Sequence, residues 1–440
     1  MAFSFKFPKF HESVLDNGLR LILLPDHEQE GLVAALQFPF GRFCDESGKE
    51  GVAESVIALL QKGTQQCHFD QFSSMLEFEG ASLFAEVGEE HTGIGIRMLS
   101  KSHKNLIPLF LEMVMMPALD TKEFERIKKE MVTSLHAETA EPSIIANRHF
   151  FVELVGKSHP AGRFHSLDAI RKITIDDIKK FYAEHIGPKN AIMVVAGDFD
   201  VSEFNDMYLK SIQQWNADKQ TEPCFAPLVE TSKKAFRLID KDDTTQTTLV
   251  MGHCMPGELS PDRRPLALAN YIFGAGNFSS RLMTSIRSKV GHTYGISSQI
   301  AAERIFGAFT ISTSTQNNQL GAMIDAILEQ YNELCLNGIT AAELDRAKKF
   351  ATGNMAFQLE GIGSIAEKLM WLRFYDYPDS YIEQFDTLLN SITLDNVNDA
   401  IRRHFLAEKM IIIAVGKKVE IAEQLKKFGI FTGYHYRDKI

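Results

Sequence analysis

Leu119-Asp-Thr-Lys-Glu-Phe-Glu-Arg-Ile-Lys-Lys129 returns in the second half of the chain as Ile339-Thr-Ala-Ala-Glu-Leu-Asp-Arg-Ala-Lys-Lys349. Ile173-Thr-Ile-Asp-Asp-Ile-Lys-Lys180 and Ile192-Met-Val-Val-Ala-Gly197 return as Ile392-Thr-Leu-Asp-Asn-Val-Asn-Asp399 and Ile411-Ile-Ile-Ala-Val-Gly416. Position 129 thus maps to 349, 180 to 399 and 197 to 416, a nearly constant offset. A Glu-x-x-Arg-x-Lys-Lys run by itself is a common helix surface. Three segments in one order at nearly one spacing argue for internal duplication. The chain is therefore expected to form two homologous halves, 1–220 and 235–440. The join falls near 217–234, a polar stretch with two prolines and no apolar period.

Each half mixes strands and helices. Gly18–Leu24 reads as a strand after the Asn17-Gly18 turn, and Ser82–Ala85 and Gly93–Leu99 read as two more. Gly51–Lys62 reads as a helix stopped by Gly63, followed by a helix over Asp70–Glu79. Lys104–Met116 is an apolar helix ending at Pro117. Thr121 opens a long helix with Glu123 near a capping-box position. Asp176–His185 reads as helix and Ala191–Ala196 as a buried strand. The expected fold class is α+β: in each half a mixed sheet with helices packed on one face.

The bulk composition excludes several functions. Of the 440 residues 45% are hydrophobic and 24% charged, a globular balance with ample material for cores. The net charge of −10 and the absence of a basic stripe argue against nucleic-acid binding. No window is long and apolar enough for a membrane span. The N-terminus has no signal-type apolar run, so the literal reading is cytoplasmic, and periplasmic if a leader has been removed. Five scattered cysteines without a Cys-x-x-Cys read as reduced thiols rather than a disulfide framework or zinc knuckle.

Leu15-Asp-Asn-Gly-Leu-Arg20, Gly51-Val-Ala53, Leu60-Gln-Lys-Gly-Thr64, Pro117-Ala-Leu-Asp120, His159-Pro-Ala-Gly162 and Asn190-Ala-Ile-Met-Val-Val-Ala-Gly-Asp198 occur in that order. Together they resemble the insulinase/pitrilysin family of zinc peptidases, in particular its processing-peptidase-like branch. The resemblance runs over about residues 12–200 and resumes over about 240–415. In active members, the helix after Gly-x-Ala carries His-x-x-Glu-His. Two histidines on one helix face grip zinc, the intervening Glu is the general base, and a later Glu is the third ligand. Here those positions read Glu54-Ser-Val-Ile57-Ala58, and the third ligand would fall near Ser134 or Leu135. The resemblance thus implies a degenerate motif at Glu54, Ile57, Ala58 and Ser134 that binds no metal and leaves no catalytic residue in this chain alone. Glu130 and Glu138 lie a turn to either side of the ligand position and do not substitute. His91, His136, His149, His159 and His165 lack the helical pairing with an acid and read as loop or core histidines.

Active relatives also pair their peptide with an Asn-Ala-aromatic edge strand. The corresponding stretch here is Phe84-Ala85-Glu86, which puts that docking role in doubt. The second half keeps more. Phe273-Gly-Ala-Gly-Asn-Phe-Ser-Ser-Arg-Leu282 is similar to the family's glycine turn, in which Arg281 has a structural role. Ile286-Arg287-Ser-Lys-Val-Gly291-His-Thr-Tyr294 follows. In the family an Arg and a Tyr seven residues apart around a Gly reach the zinc site, hold the peptide and stabilise the oxyanion. Arg287 and Tyr294 match that pair. An Arg offers fixed charged donors and a Tyr a hydroxyl donor, which suits the role. The resemblance implies a non-catalytic subunit that supplies Arg287 and Tyr294 to a homologous zinc-bearing partner acting on unfolded peptides. The alternative is an inert peptide-binding or scaffold protein of the same fold, possible also as a homodimer. No Gly-x-Ser-x-Gly, P-loop or dinucleotide signature supports an independent enzyme.

Overall fold

The computed structural model describes residues 5–217, 219–226, 234–289 and 295–438. Two six-stranded sheets organise the chain. The first is built from β1 (His11–Val14), β2 (Arg20–Pro25), β3 (Gly31–Phe38), β4 (Ser82–Val87), β5 (Thr92–Leu99) and β6 (Ile192–Gly197). The second is built from β7 (Ala235–Asp240), β8 (Gln246–Pro256), β9 (Ile296–Ala302), β10 (Phe306–Gln316), β11 (Ile411–Gly416) and β12 (Thr432–His435). Their orders are β1-β2-β6-β3-β5-β4 and β12-β7-β11-β8-β10-β9. Five positions match strand for strand, with β2–β6 and β7–β11 parallel. Only the outer edge differs: β1 runs antiparallel to β2, whereas β12 runs parallel to β7.

The duplication extends to single bonds. Thr174 and Thr393 both close a capping box, with Asp177 and Asn396. Lys128 Nζ donates to the carbonyls of Arg171 and Ile173, and Lys348 Nζ donates to those of Asn390 and Ile392. The long helices Thr121–Glu138 and Ala341–Gln358 start differently. Asp120 Oδ1 accepts from the Lys122 and Glu123 amides, so Asp120 is the cap and the Glu123 box is not formed. Thr340 and Glu343 do form the reciprocal pair.

Alternation along the strands sorts the first sheet's residues between two faces. Leu32, Ala34, Leu36 and Phe38 of β3 join the large core under the helices Val52–Leu60 and His103–Met115. Ile22, Leu24, Ile192, Val194 and Ala196 face the other way and are covered by the helix Ile362–Phe374. In the second sheet Val250, Ile411, Ile413 and Val415 pack on Ile145, Phe150 and Leu154 of the helix Pro142–Val155.

The helices Ile362–Phe374 and Pro142–Val155 each come from the other half of the sequence. The chain forms two compact units that differ from the contiguous segments 1–220 and 235–440. One consists of 1–133, 165–225 and 354–385, the other of 134–164, 226–353 and 386–440. The boundary Phe225/Ala226 falls within the join expected from sequence. The other boundaries follow from burial, since the second face of each sheet is apolar and needs a helix that its own half does not supply. Among the described residues no helix is long and apolar enough to cross a membrane.

Candidate functional site

The helix Val52–Leu60 is started by its surroundings more than by its own residues. Gly51 precedes it at φ 113°, a left-handed conformation that glycine tolerates. A Cβ there would stand 2.6 Å from Met131 Cε and 3.4 Å from the His165 ring. Asp45 supplies the cap: its carboxylate accepts from the Gly51 amide at 2.7 Å and the Ala53 amide at 2.8 Å. Burial drives the Asp45 pKa up to about 7, against the lowering effect of those two amides.

Glu54 lies in the first turn of this helix, between Arg42 and His165. Arg42 Nε donates to Glu54 Oε1 at 2.6 Å, and Arg42 Nη1 reaches Glu89 Oε1 at 2.9 Å. His165 Nε2 stands 2.5 Å from Glu54 Oε2. Burial acts to raise the Glu54 pKa, but His165 and Arg42 outweigh it and hold the acid below its ordinary value. Both carboxylate oxygens of Glu54 are thus met by protein side chains. Arg42 is well placed because its own backbone is clamped. The Arg42 and Phe43 amides donate to the carbonyls of Gly88 and Glu89 in the β4–β5 turn.

The remaining motif positions carry no donor. Ile57 is only 2% exposed and belongs to the core, while Ala58 packs against it. On the Thr121–Glu138 helix Ser134 is exposed and Leu135 buried. Glu130 pairs with Arg126 at 3.3 Å and Glu138 with Arg148 at 2.8 Å. Met131, a thioether, meets Ser55 Oγ at 3.2 Å. Among the described residues no group of three His, Cys, Asp or Glu is arranged to hold a metal ion. The donor set does not fit zinc: of the motif positions only Glu54 carries a carboxylate, and Arg42 and His165 stand against its two oxygens.

The histidines divide. His149 is buried against Arg237, with 2.8 Å between Nδ1 and Nη1, and burial lowers its pKa to about 4. His159 Nδ1 accepts from the Ala161 amide and caps a short turn. His165 lies in the loop before the helix Leu167–Lys172, as the sequence reading allowed, and what that reading did not foresee is its pairing with Glu54. Arg42 was invisible to that reading, because no local pattern links positions 42, 54, 89 and 165.

Strand β4 ends the first sheet and carries Phe84-Ala85-Glu86. The Phe84 ring lies over Gly95, where a Cβ would come within 2.3 Å of Phe84 Cζ, and Arg97 stacks on it at 5.0 Å. Beside the strand is a cleft of about 550 Å³, whose walls include Gln37, Glu86, His91, Lys368 and Trp371.

In the second half the glycine turn brings Gly274 against β9, where a Cβ would meet Ser298 Oγ at 2.3 Å. Arg281 grips Glu343 with two bonds of 2.7 Å and donates to the Gly338 carbonyl at 2.9 Å. Burial of Glu343 is outweighed by Arg281 and Thr340, which hold its pKa at about 2. Arg287 lies on the helix Arg281–Lys289, with its side chain outside the description. Tyr294 lies outside the described residues.

Comparison with known proteins agrees with this geometry. The model of the insulinase family, peptidase family M16, matches residues 20–151, and the model of the peptidase M16 inactive domain matches residues 172–350. A non-peptidase homolog, YmxG of Helicobacter pylori, is 26% identical over 395 residues, covering 87% of this chain and 88% of that protein. An uncharacterized zinc protease of Rickettsia bellii is 24% identical over 376 residues, 82% of this chain and 86% of that one. A peptidase M16 inactive domain from Pseudomonas fluorescens superposes with a TM-score of 0.85 at 24% identity, over 94% of this chain and 99% of that one. Two models of one family span well over half of the sequence in the order the duplication requires, and the chain belongs to the insulinase-type peptidase family M16, as a homologue whose zinc motif has been lost.

Proposed function

We propose that this chain is the non-catalytic subunit of a heterodimeric zinc peptidase. Arg287 and Tyr294 reach the active site of a homologous zinc-bearing partner, bind an unfolded peptide there and stabilise the oxyanion. The observation that carries this reading is the contrast between the halves. In the first, Glu54 is held by Arg42 and His165 while the general-base position is the core residue Ile57. The second keeps a charged donor and a phenolic donor in the family's spacing around Gly291. Such a pair has a use in catalysis only opposite zinc held by another chain.

A second reading, an inert peptide-binding or scaffold protein that pairs with itself, is favoured by one feature. Strand β4 still ends its sheet beside a cleft of about 550 Å³. Reconstitution separates the two. The chain is purified alone and together with a His-x-x-Glu-His relative from the same organism, and zinc content and cleavage of an unstructured peptide are measured. The expected result is an inert, zinc-free single chain and an active pair, with kcat/KM lowered about 100-fold by Arg287→Ala. A pair indifferent to Arg287→Ala supports the scaffold, and a single chain that cleaves with bound zinc overturns both readings.

A further inference from the structure

Two thiols that are distant in sequence meet in the first unit, away from any role in peptide cleavage. Cys44 ends the short turn Arg42–Cys44, whose first residue holds Glu54. Cys224 lies far along the chain, just before the undescribed 227–233. Its Sγ is 3.8 Å from the carbonyl oxygen of Phe43, the residue next to Cys44. The neighbouring Cys224 thiol, ahead of burial, pushes the Cys44 thiol far above its ordinary value. Both residues are partly accessible. Two other cysteines are engaged elsewhere: Cys67 Sγ with the His68 carbonyl and Cys335 Sγ with the Phe405 carbonyl. The spacing in sequence predicts only scattered reduced thiols, and the fold brings two of them together.

We propose that Cys44 and Cys224 form an oxidisable dithiol, which closes to a disulfide by exchange with a small-molecule disulfide such as glutathione disulfide. One protein thiol attacks the oxidant, forming a mixed disulfide and releasing one glutathione thiol. The second protein thiol then displaces the other glutathione. Two protein S–H bonds and one glutathione S–S bond are lost, and one protein S–S bond and two glutathione S–H bonds are formed. The product ties the chain entering the join to the turn that carries Arg42. It closes the long loop between positions 44 and 224, which restricts the unfolded chain far more than the folded one.

The test equilibrates the full-length protein in glutathione buffers of increasing oxidised fraction, blocks free thiols by alkylation and maps peptides without reduction. The expected product is one linked peptide pair, Cys44 with Cys224, while Cys67, Cys254 and Cys335 remain alkylated. Its Tm is expected to rise by about 5 °C or more over the reduced protein. The rise should vanish in Cys224→Ser and Cys224→Ala. Alkylation of both Cys44 and Cys224 in the most oxidising buffer, or linkage of either to another cysteine, overturns the proposal. The mapping on unaltered protein decides this even where a variant fails to fold.

Discussion

At Ile57 the departure from the family's motif is written into the packing as well as the chemistry. The side chain stands where active relatives need a solvated general base, and here it belongs to the central core with only 2% exposure. Restoring the family's acid by Ile57→Glu would bury a carboxylate with no cation assigned to it, since Arg42 and His165 already serve Glu54. The expected cost is about 3–5 kcal/mol of stability in denaturant unfolding. Addition of zinc should not recover it. A variant as stable as the parent would show that the pocket can reopen around an acid. Glu54 illustrates the opposite case, a carboxylate placed where the Arg42 guanidinium and the His165 imidazole already converge. Arg42 precedes its helix and His165 lies far downstream, so nothing local in the sequence announces either partner.

Among the elements, the long helix Ala341–Gln358 is fastened at its start by Glu343, which serves as capping-box acid and as the seat of Arg281. Its folded pKa of about 2 lies below that of an unfolded Glu. A depressed acid stabilises the fold above the unfolded pKa of roughly 4.3, and that contribution is lost as pH falls toward the folded value. Glu343→Gln is therefore expected to cost about 2 kcal/mol at neutral pH, allowing for solvent screening. The gap from the parent should close between pH 4.5 and pH 2 in paired urea titrations. A gap that does not change with pH would mean that the Arg281 bonds contribute nothing as an ion pair. The same scale shows what could be read from sequence. The helix read over Asp176–His185 and the strands with clear turns emerge within a few residues of their observed ends. The central strand β3, Gly31–Phe38, is nearly continuous in apolar residues and mostly buried along its length, so it shows no alternation. The helix Pro142–Val155, likewise apolar on most sides, hides for a related reason. The glycine turn was legible because it is local, whereas the Arg42–Glu54–His165 network was not.

For the whole molecule, folding of either half depends on the other. Without Ile362–Phe374, the face formed by Ile22, Leu24, Ile192, Val194 and Ala196 lies open. Without Pro142–Val155, Val250, Ile411, Ile413 and Val415 are uncovered. Fragments 1–226 and 234–440 are expected to lack a cooperative thermal transition when produced separately and to copurify as a folded pair when coexpressed. Two independent cooperative transitions from the separate fragments would refute this dependence.

The boundaries between the units recur at equivalent places. One pair follows Thr133 and Gly353 and the other follows Phe164 and Phe385, close to the offset that relates the repeated segments. Two copies of a half-length chain, each lending its partner that segment, would build both units from a single sequence. The present polypeptide thus has the connectivity of a domain-swapped homodimer whose subunits have been fused end to end.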